Sequence, residues 1–401
     1  MLLTGSGDAT GPNLRQLLDV TRRIRSTVVD TFGEGEAYLG SLTAPAVAES
    51  DVRTSAEPAR RRLPGLVLLA VVVVLFAPMA ADASAIVWSG AVALGLLFAP
   101  LAVGVWLTFR VLDFPDLTVD ASFPAGGAVA ATAIVNGWNP WLGVTLAMLV
   151  GALLGVLTTL FHLALRINSL LASILTVTAA FTINIRIQGR ANLSLLNTNS
   201  VYTPFIDPVR RRMIDWFGDT GAQIHRSAAT MIVIGTIIVL LCAGMTWLMR
   251  TEVGIGVRAT GANQQMSRAQ GIDTRRYLVG SVALSNAVIA LSGALVAQHQ
   301  GFADVNSGAG LIIAGLAAVI IGEVLFGGHG DSILRALVAA SLGMLLYRAA
   351  IALAISSNID LPFLSPLRLA VTDVRLATAA IVALLLAVPR LRERRLRGRP
   401  A

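Results

Sequence analysis

Long apolar runs separated by short polar connectors fill most of this chain, and their lengths set its class. Leu63 to Ala80 is eighteen residues without a charge, close to the ~20 residues that carry a helix across a hydrocarbon core of ~30 Å. Nine similar runs follow, at Ser84 to Phe109, Leu117 to Val135, Pro140 to Leu165, Ser169 to Ile185, Ala228 to Met249, Leu278 to Gln298, Ala309 to Phe326, Ser332 to Ile355 and Thr372 to Val388. None alternates with the period of a strand. Backbone polar groups in lipid must be satisfied within the segment, so the runs are expected to be helices. The pattern predicts an all-α polytopic membrane protein of about ten transmembrane helices, with a membrane domain over 63–390. The 55% share of hydrophobic residues against 13% charged ones agrees with that class.

Two runs carry features that a plain lipid-spanning helix does not need. FPDLTVDASFPAGGA, Phe114 to Ala128, places Pro115, Pro124, Gly126, Gly127, Asp116 and Asp120 at the start of a span. A broken or re-entrant helix is expected there, and such breaks line either protein or a wet cavity. An interfacial turn with its aspartates in headgroup water is the competing reading. In Gly308 to Gly328, Gly310, Ala314 and Ala318 recur every four residues, a spacing that lets helices pack closely inside a bundle. Glu323 in this run and Arg348 in the next suggest an ion pair, but their positions along the two spans put them roughly 24 Å apart in depth. Separate partners, or water, are expected for each. Asp116, Thr118, Asp120, Asn184, Gln298 and Asn306 are the candidates for a substrate path, with interhelical hydrogen bonding as their alternative use.

Charge orients the chain. Arg60, Arg61 and Arg62 precede the first run, and Arg390, Arg392, Arg394, Arg395, Arg397 and Arg399 follow the last, so both termini are expected in the cytoplasm. Ten spans satisfy that parity and put 250–276 inside and an outer loop, 187–227, outside, despite Arg190, Arg210, Arg211, Arg212 and Arg226 in the latter. Residues 1–62 form a polar cytoplasmic extension, in which Asn13 to Phe32 has the spacing of an amphipathic helix for the inner leaflet; an unstructured tail is the alternative. Residues 391–401 make a basic cytoplasmic tail.

The segment 250–276 is the most informative connector. Within GVRATGANQQMSRAQGI, Gly256 to Ile272, Asn263 is placed to cap a short helix from Gln264 to Gln270, and Gly271 to end it in the left-handed conformation. Met266 and Ala269 share a face beside Arg268, the shape of a small knob with a polar rim. A solvated loop is the alternative. The positive charge is all arginine, because the chain contains no lysine. A phosphate-binding loop of the GxxxxGK[ST] kind is therefore absent. With Cys242 alone and His162, His225, His299 and His329 scattered, no metal site is expected.

These motifs resemble a family. FPDLTVDASFPAGGA, the run from Asn168 to Leu196, the Gly256 to Ile272 segment, Ala283 to Asn306 and Gly310 to Gly327 are similar, in order, to the membrane-embedded permeases of bacterial ABC importers. The branch is that of branched-chain amino acid and ribose permeases, nearest the group named for tryptophan and tyrosine import. His299 stands where the family pattern has a tyrosine. The resemblance implies a permease subunit, not an enzyme, in the bacterial cytoplasmic (inner) membrane. It implies a coupling loop that contacts the ATPase, carried here by Arg258, Ala259, Gly261, Asn263, Ala269, Gly271 and Ile272, to which the helix face described above adds Met266 and Arg268. It also implies an ABC ATPase partner that holds ATP and magnesium, no cofactor on this chain, a periplasmic or lipid-anchored substrate-binding protein, and a second permease copy, most simply as a homodimer. Membrane lipid is the remaining partner, and no nucleic acid is expected. The implied cargo is a small polar solute such as an amino acid, aromatic or branched. An ion-coupled secondary transporter and a non-transport scaffold are the competing classes.

Overall fold

A computed structural model of the chain describes residues 85–356 apart from 197 and 327–331. The expected first and tenth spans, the 1–62 extension and the 391–401 tail lie outside the described residues. Ten α-helices are labelled here in chain order: α1 Ala85–Trp106, α2 Val119–Val135, α3 Pro140–Leu165, α4 Ser169–Gln188, α5 Thr203–Arg250, α6 Glu252–Ala262, α7 Gln264–Ala269, α8 Thr274–Gln300, α9 Leu311–Phe326 and α10 Ile333–Ser356. Among the described residues, seven helical segments are long and apolar enough to cross a membrane, and Val119–Val135 is a shorter apolar helix. Eight of the expected runs thus have a helical counterpart.

The centre of the bundle is α8 against α1, α2 and α3. The spans containing α1 and α8 are each 78% buried, against 28% for α4 and 33% for α5, so the first pair is core and the second pair peripheral. Close packing around α8 depends on missing side chains: a Cβ on Gly126 would lie 2.0 Å from Ala290 O, and one on Gly293 1.9 Å from Phe123 O. Hydroxyls add short cross-links, with Ser285 Oγ donating to Gly104 O and Ser292 Oγ to Leu97 O. The α9 stripe packs on α10 through Ala318, whose carbonyl faces Gly343. Gly310 is not part of that stripe; it lies before the helix at φ +81°. Since Ile313 and Phe326 remain exposed, only one face of α9 is inside the bundle.

The expected break is present and displaced. After α1 the chain makes a π-helical turn, Leu107–Val111, and reverses through Asp113 at φ +52°. It then runs without helix to Val119. Pro124 lies inside an unbroken α2. The depth of the break follows from two contacts. Phe123 stacks on Phe98, ring centroids 5.2 Å apart, and Phe98 is twelve residues before Arg110, or roughly 18 Å along α1. Independently, Asp120 accepts backbone N–H bonds from Gly310 and Ile312 at the start of α9, about a dozen residues before Glu323, which pairs with Arg110. The N-terminus of α2 therefore sits on the order of 15 Å inside the bundle, and the non-helical segment climbs through that depth. This is a break within the bundle, not an interfacial turn.

The connector over 187–227 is largely helical. Only residues near 189–202 are non-helical, with a short antiparallel pairing of Asn192–Ser194 to Phe302–Asp304, and α5 begins at Thr203. Arg210, Arg211 and Arg212 are helical. A polar helix on the outside of a bundle needs no apolar face. Nor is α5 straight. Tyr202 and Thr230 both meet His299, whereas 28 residues of straight helix would part them by roughly 42 Å. The helix doubles back on itself between them, and Gly218 and Gly221 lie in that stretch.

Candidate functional site

At the end of the bundle where α1 and α9 finish, the connector between α5 and α8 is two helices rather than one helix in a loop. Asn263 ends α6 and starts α7, its Oδ1 accepting from Met266 N at 3.0 Å. The far end of α7 closes through Gly271 at φ +82° and bonds from Gly271 N to Arg268 O and from Ile272 N to Ser267 O. Ser267 Oγ donates to Ala259 O at 2.8 Å, folding α7 back on α6. Arg268 Nε donates to Thr274 Oγ1 at 2.8 Å and ties α7 to α8. Arg258, Asn263, Met266, Arg268, Ala269 and Gly271 are exposed, whereas Ala259, Gly261 and Ile272 are half-buried. Met266, 60% exposed, is the apolar knob of a basic surface that also displays Arg275 and Arg276.

Gly261 joins this surface to the bundle. A Cβ there would lie 1.9 Å from Val111 O and 2.9 Å from Leu112 Cα, so α6 rests directly on the π-helical turn. One residue earlier, Arg110 forms a two-point ion pair with Glu323, its Nε donating at 2.7 Å and its Nη2 to the other carboxylate oxygen. As expected, Glu323 and Arg348 do not pair with each other. The guanidinium of Arg348 lies 3.5 Å from the ring centroid of Phe98, a cation–π contact, and its Nε has no hydrogen-bond partner among the described residues.

Beyond the turn, the broken segment is held by a buried polar network. Asp116, fully buried, accepts from Thr118 N (2.8 Å) and Ser173 Oγ (3.3 Å) on one oxygen and from Asn286 Nδ2 (2.7 Å) on the other. Asn286 Oδ1 in turn accepts from Ser122 Oγ at 2.7 Å. Thr118, Thr158 and Thr176 form a hydroxyl chain with spacings of 2.7 and 2.9 Å. The network joins the break to α2, α3, α4 and α8 and satisfies the backbone N–H of Thr118 within the break.

The six substrate-path candidates do not share one cavity. Asp116 and Thr118 belong to the network. Asp120 caps the start of α9, and Asn184 Nδ2 donates weakly to Ala121 O at 3.5 Å. Asn306 is exposed on a short 3₁₀ turn, its N–H bonded to Asp304 Oδ1. Gln298 alone lines a cleft, of about 390 Å³, at the opposite end from α6 and α7. Asn286, Ser122, Thr158, Ser173, Thr176 and Arg110 were missing from the sequence-based set. An asparagine in mid-span was the available signal; the hydroxyls carry none, since lone Ser and Thr are common in such helices. Among the described residues, no three His, Cys, Asp or Glu side chains cluster as a metal would require.

A bundle of membrane-length helices with an inward break, a polar network holding it and a basic helical knob at one end defines a multi-pass membrane protein of the transporter type. The family described as branched-chain amino acid transport system / permease component matches residues 87–389. The chain belongs to that permease family. It is 31% identical over 293 residues to a tyrosine transport system permease protein of Clostridioides difficile, covering 73% of this chain and 88% of the relative. It is also similar to a fructose import permease protein of Bifidobacterium longum, at 25% over 262 residues with 64% and 68% covered. A galactofuranose transporter permease protein of Escherichia coli is 28% identical over 239 residues, with 58% and 63% covered. No solved structure matches the chain.

Proposed function

We propose that this chain is the transmembrane permease subunit of an ATP-binding cassette importer, coupled to a separate ATPase through α6 and α7. The observation that carries the reading is the contact of Gly261 with Val111: an exposed, capped helix pair is seated without intervening side chains on the turn that precedes the broken span. A push on α6 would reach the break directly. In this reading the α6–α7 end faces the cytoplasm, ten spans cross the bacterial inner membrane, both termini are cytoplasmic, and ATP with magnesium is bound and hydrolysed in the partner. Two permease copies enclose the path and rock between inward- and outward-facing states. The start of α5, with Arg210 to Arg212, offers a basic surface to a substrate-binding protein.

The cargo is a small polar solute of the amino acid kind, a choice supported by the tyrosine permease relative. The sugar permeases among the relatives make a sugar the alternative cargo. An ion-coupled mechanism is disfavoured because Asp116 is saturated with hydrogen bonds and Arg348 lies against Phe98. The test is co-purification of the native membrane ATPases with the wild type and with a Gly261→Trp, Arg268→Glu double variant. Retention by the wild type and loss in the variant is expected; no ATPase on the wild type in several mild detergents would overturn the assignment.

A further inference from the structure

The cleft of about 390 Å³ lies where α5 doubles back, within the ~300–1,000 Å³ usual for small-ligand pockets. Its walls come from both arms of α5, the preceding loop and the end of α8. Among the described residues, Arg226 is the charged side chain lining it, and no aspartate or glutamate does. Tyr202, Thr203 and Ile206 line it as well; at the start of α5, Thr203 N and Phe205 N are already bonded to Ser200 O and Tyr202 O and Pro204 has no N–H, so the polar demand of the cleft rests on side chains.

A second, independent feature marks the cleft as incomplete. Gln298 is only 6% exposed and lines it. Its Oε1 accepts from Val201 N at 2.9 Å, which fixes the orientation of the amide. Its Nε2 then has no acceptor among the described residues. A buried amide donor left idle costs free energy, and a cation and an idle N–H₂ converge on one need: an anionic acceptor. Ile134 and Leu195 supply an apolar wall beside them.

We propose that this cleft is a binding site for a small carboxylate-bearing solute, with Arg226 and Gln298 holding the carboxylate and the apolar wall taking the side chain. The inference deepens the transport reading, on which it rests for its meaning, by naming the chemical class of the cargo. Asn199, Ser200 and Thr230 also line the cleft and supply hydroxyl and amide groups for the rest of a polar solute. The site lies outside the Asp116 network, so the two are separable by mutation.

The test is equilibrium binding to the purified full chain in lipid nanodiscs, with radiolabelled L-leucine and L-tyrosine as probes and isoamylamine and tyramine as their carboxylate-free counterparts. Both acids should bind at least about tenfold more tightly than the amines, and Arg226→Gln should remove that preference, because a charge-assisted pair is lost. Gln298→Glu keeps the acceptor for Val201 N and turns the idle donor into an oxygen, so it should weaken the acids by at least about tenfold while the amines bind no more weakly than to the wild type, which shows that the variant is folded. Amines that bind as well as acids, acids that bind Arg226→Gln normally, or no binding of any probe would overturn the proposal. Co-purification separates this result from the fate of the transport reading. An ATPase retained without carboxylate binding would remove the site and leave the permease, whereas carboxylate binding without an ATPase would do the reverse.

Discussion

Replacing Asp116 by Asn and Asn286 by Ala should have unequal effects, and the inequality tests what the buried network is for. Asn286→Ala removes the 2.7 Å donor to the Asp116 carboxylate and the acceptor of Ser122 Oγ together. A hydrogen bond to a charged group is worth about 1.5–3 kcal/mol in soluble proteins, whereas side-chain bonds between membrane helices average ~0.6 and reach ~1.7 kcal/mol. The loss should therefore be about 1–3 kcal/mol. Asp116→Asn can keep its oxygen toward Thr118 N and Ser173. Its new N–H₂ then faces Asn286, whose amide can flip so that Oδ1 accepts and Nδ2 meets Ser122, a hydroxyl free to rotate and accept. That rewiring forfeits the 3.0 Å bond from Asn286 to Val282 O but also removes an unpaired buried charge, for a net change within about 1 kcal/mol. Thermal unfolding of both variants in one mild detergent, alongside uptake in cells, provides the comparison. An Asp116→Asn midpoint as low as that of Asn286→Ala would refute the rewiring. If Asp116→Asn unfolds like the wild type yet abolishes uptake, the carboxylate touches the solute and the view of Asp116 as a brace for the break fails.

Four further outcomes follow from the coupling end and the mid-span arginine. Asn263→Ala should cost α7 about 1 kcal/mol of cap energy and reduce uptake without lowering the global unfolding midpoint, as checked by hydrogen exchange of 264–269. Gly261→Val should retain ATPase binding less well than the wild type, because even the Cβ of Gly261 would overlap Val111 O; unchanged co-purification and uptake would show that the contact gives way freely. Arg110→Glu should destabilise the protein by setting two carboxylates together, and the exchange of both residues, Arg110→Glu with Glu323→Arg, should recover at least half of the lost midpoint. Arg348→Met puts an apolar side chain in place of the guanidinium over Phe98 and removes a buried cation whose Nε is unpartnered among the described residues, so its midpoint should equal or exceed that of the wild type.

What the sequence revealed, and what it hid, divides by the range of the interaction. The cap at Asn263 and the stop at Gly271 were legible because both are settled within four residues. The helicity of α6 was not, since Gly254, Gly256 and Gly261 argue against a helix by propensity. Each is instead required by a close neighbour: Met249 backbone, the Tyr277 ring and Val111 O respectively. The same limit explains Glu323, for which depth arithmetic excluded Arg348 but did not find Arg110, 213 residues away. Asp116 was singled out as a polar group at a break, yet its partner Asn286 lies 170 residues on. The folding back of α5 had no local signal beyond two glycines in a polar stretch, and with it the cleft was invisible.

The placement of the break gives these contacts their functional sense. Had α1 and α2 been joined by a loop in headgroup water, displacement of α6 would be absorbed at the surface. Instead the chain turns at Val111, on which Gly261 rests, and reaches Asp116 only five residues later, inside a network anchored in α3, α4 and α8. A segment without its own helical hydrogen bonds can change shape at lower cost than a helix, provided that both of its ends are held. Arg110 with Glu323 holds one end, and Asp120, bonded to the start of α9, holds the other. Both clamps lie on α9, so a shift of that helix moves the two ends of the break together, whereas a push through Gly261 moves the inner end alone. In the proposed reading, closure of an ATPase against α7 would apply the second kind of motion, which distorts the break rather than carrying it along.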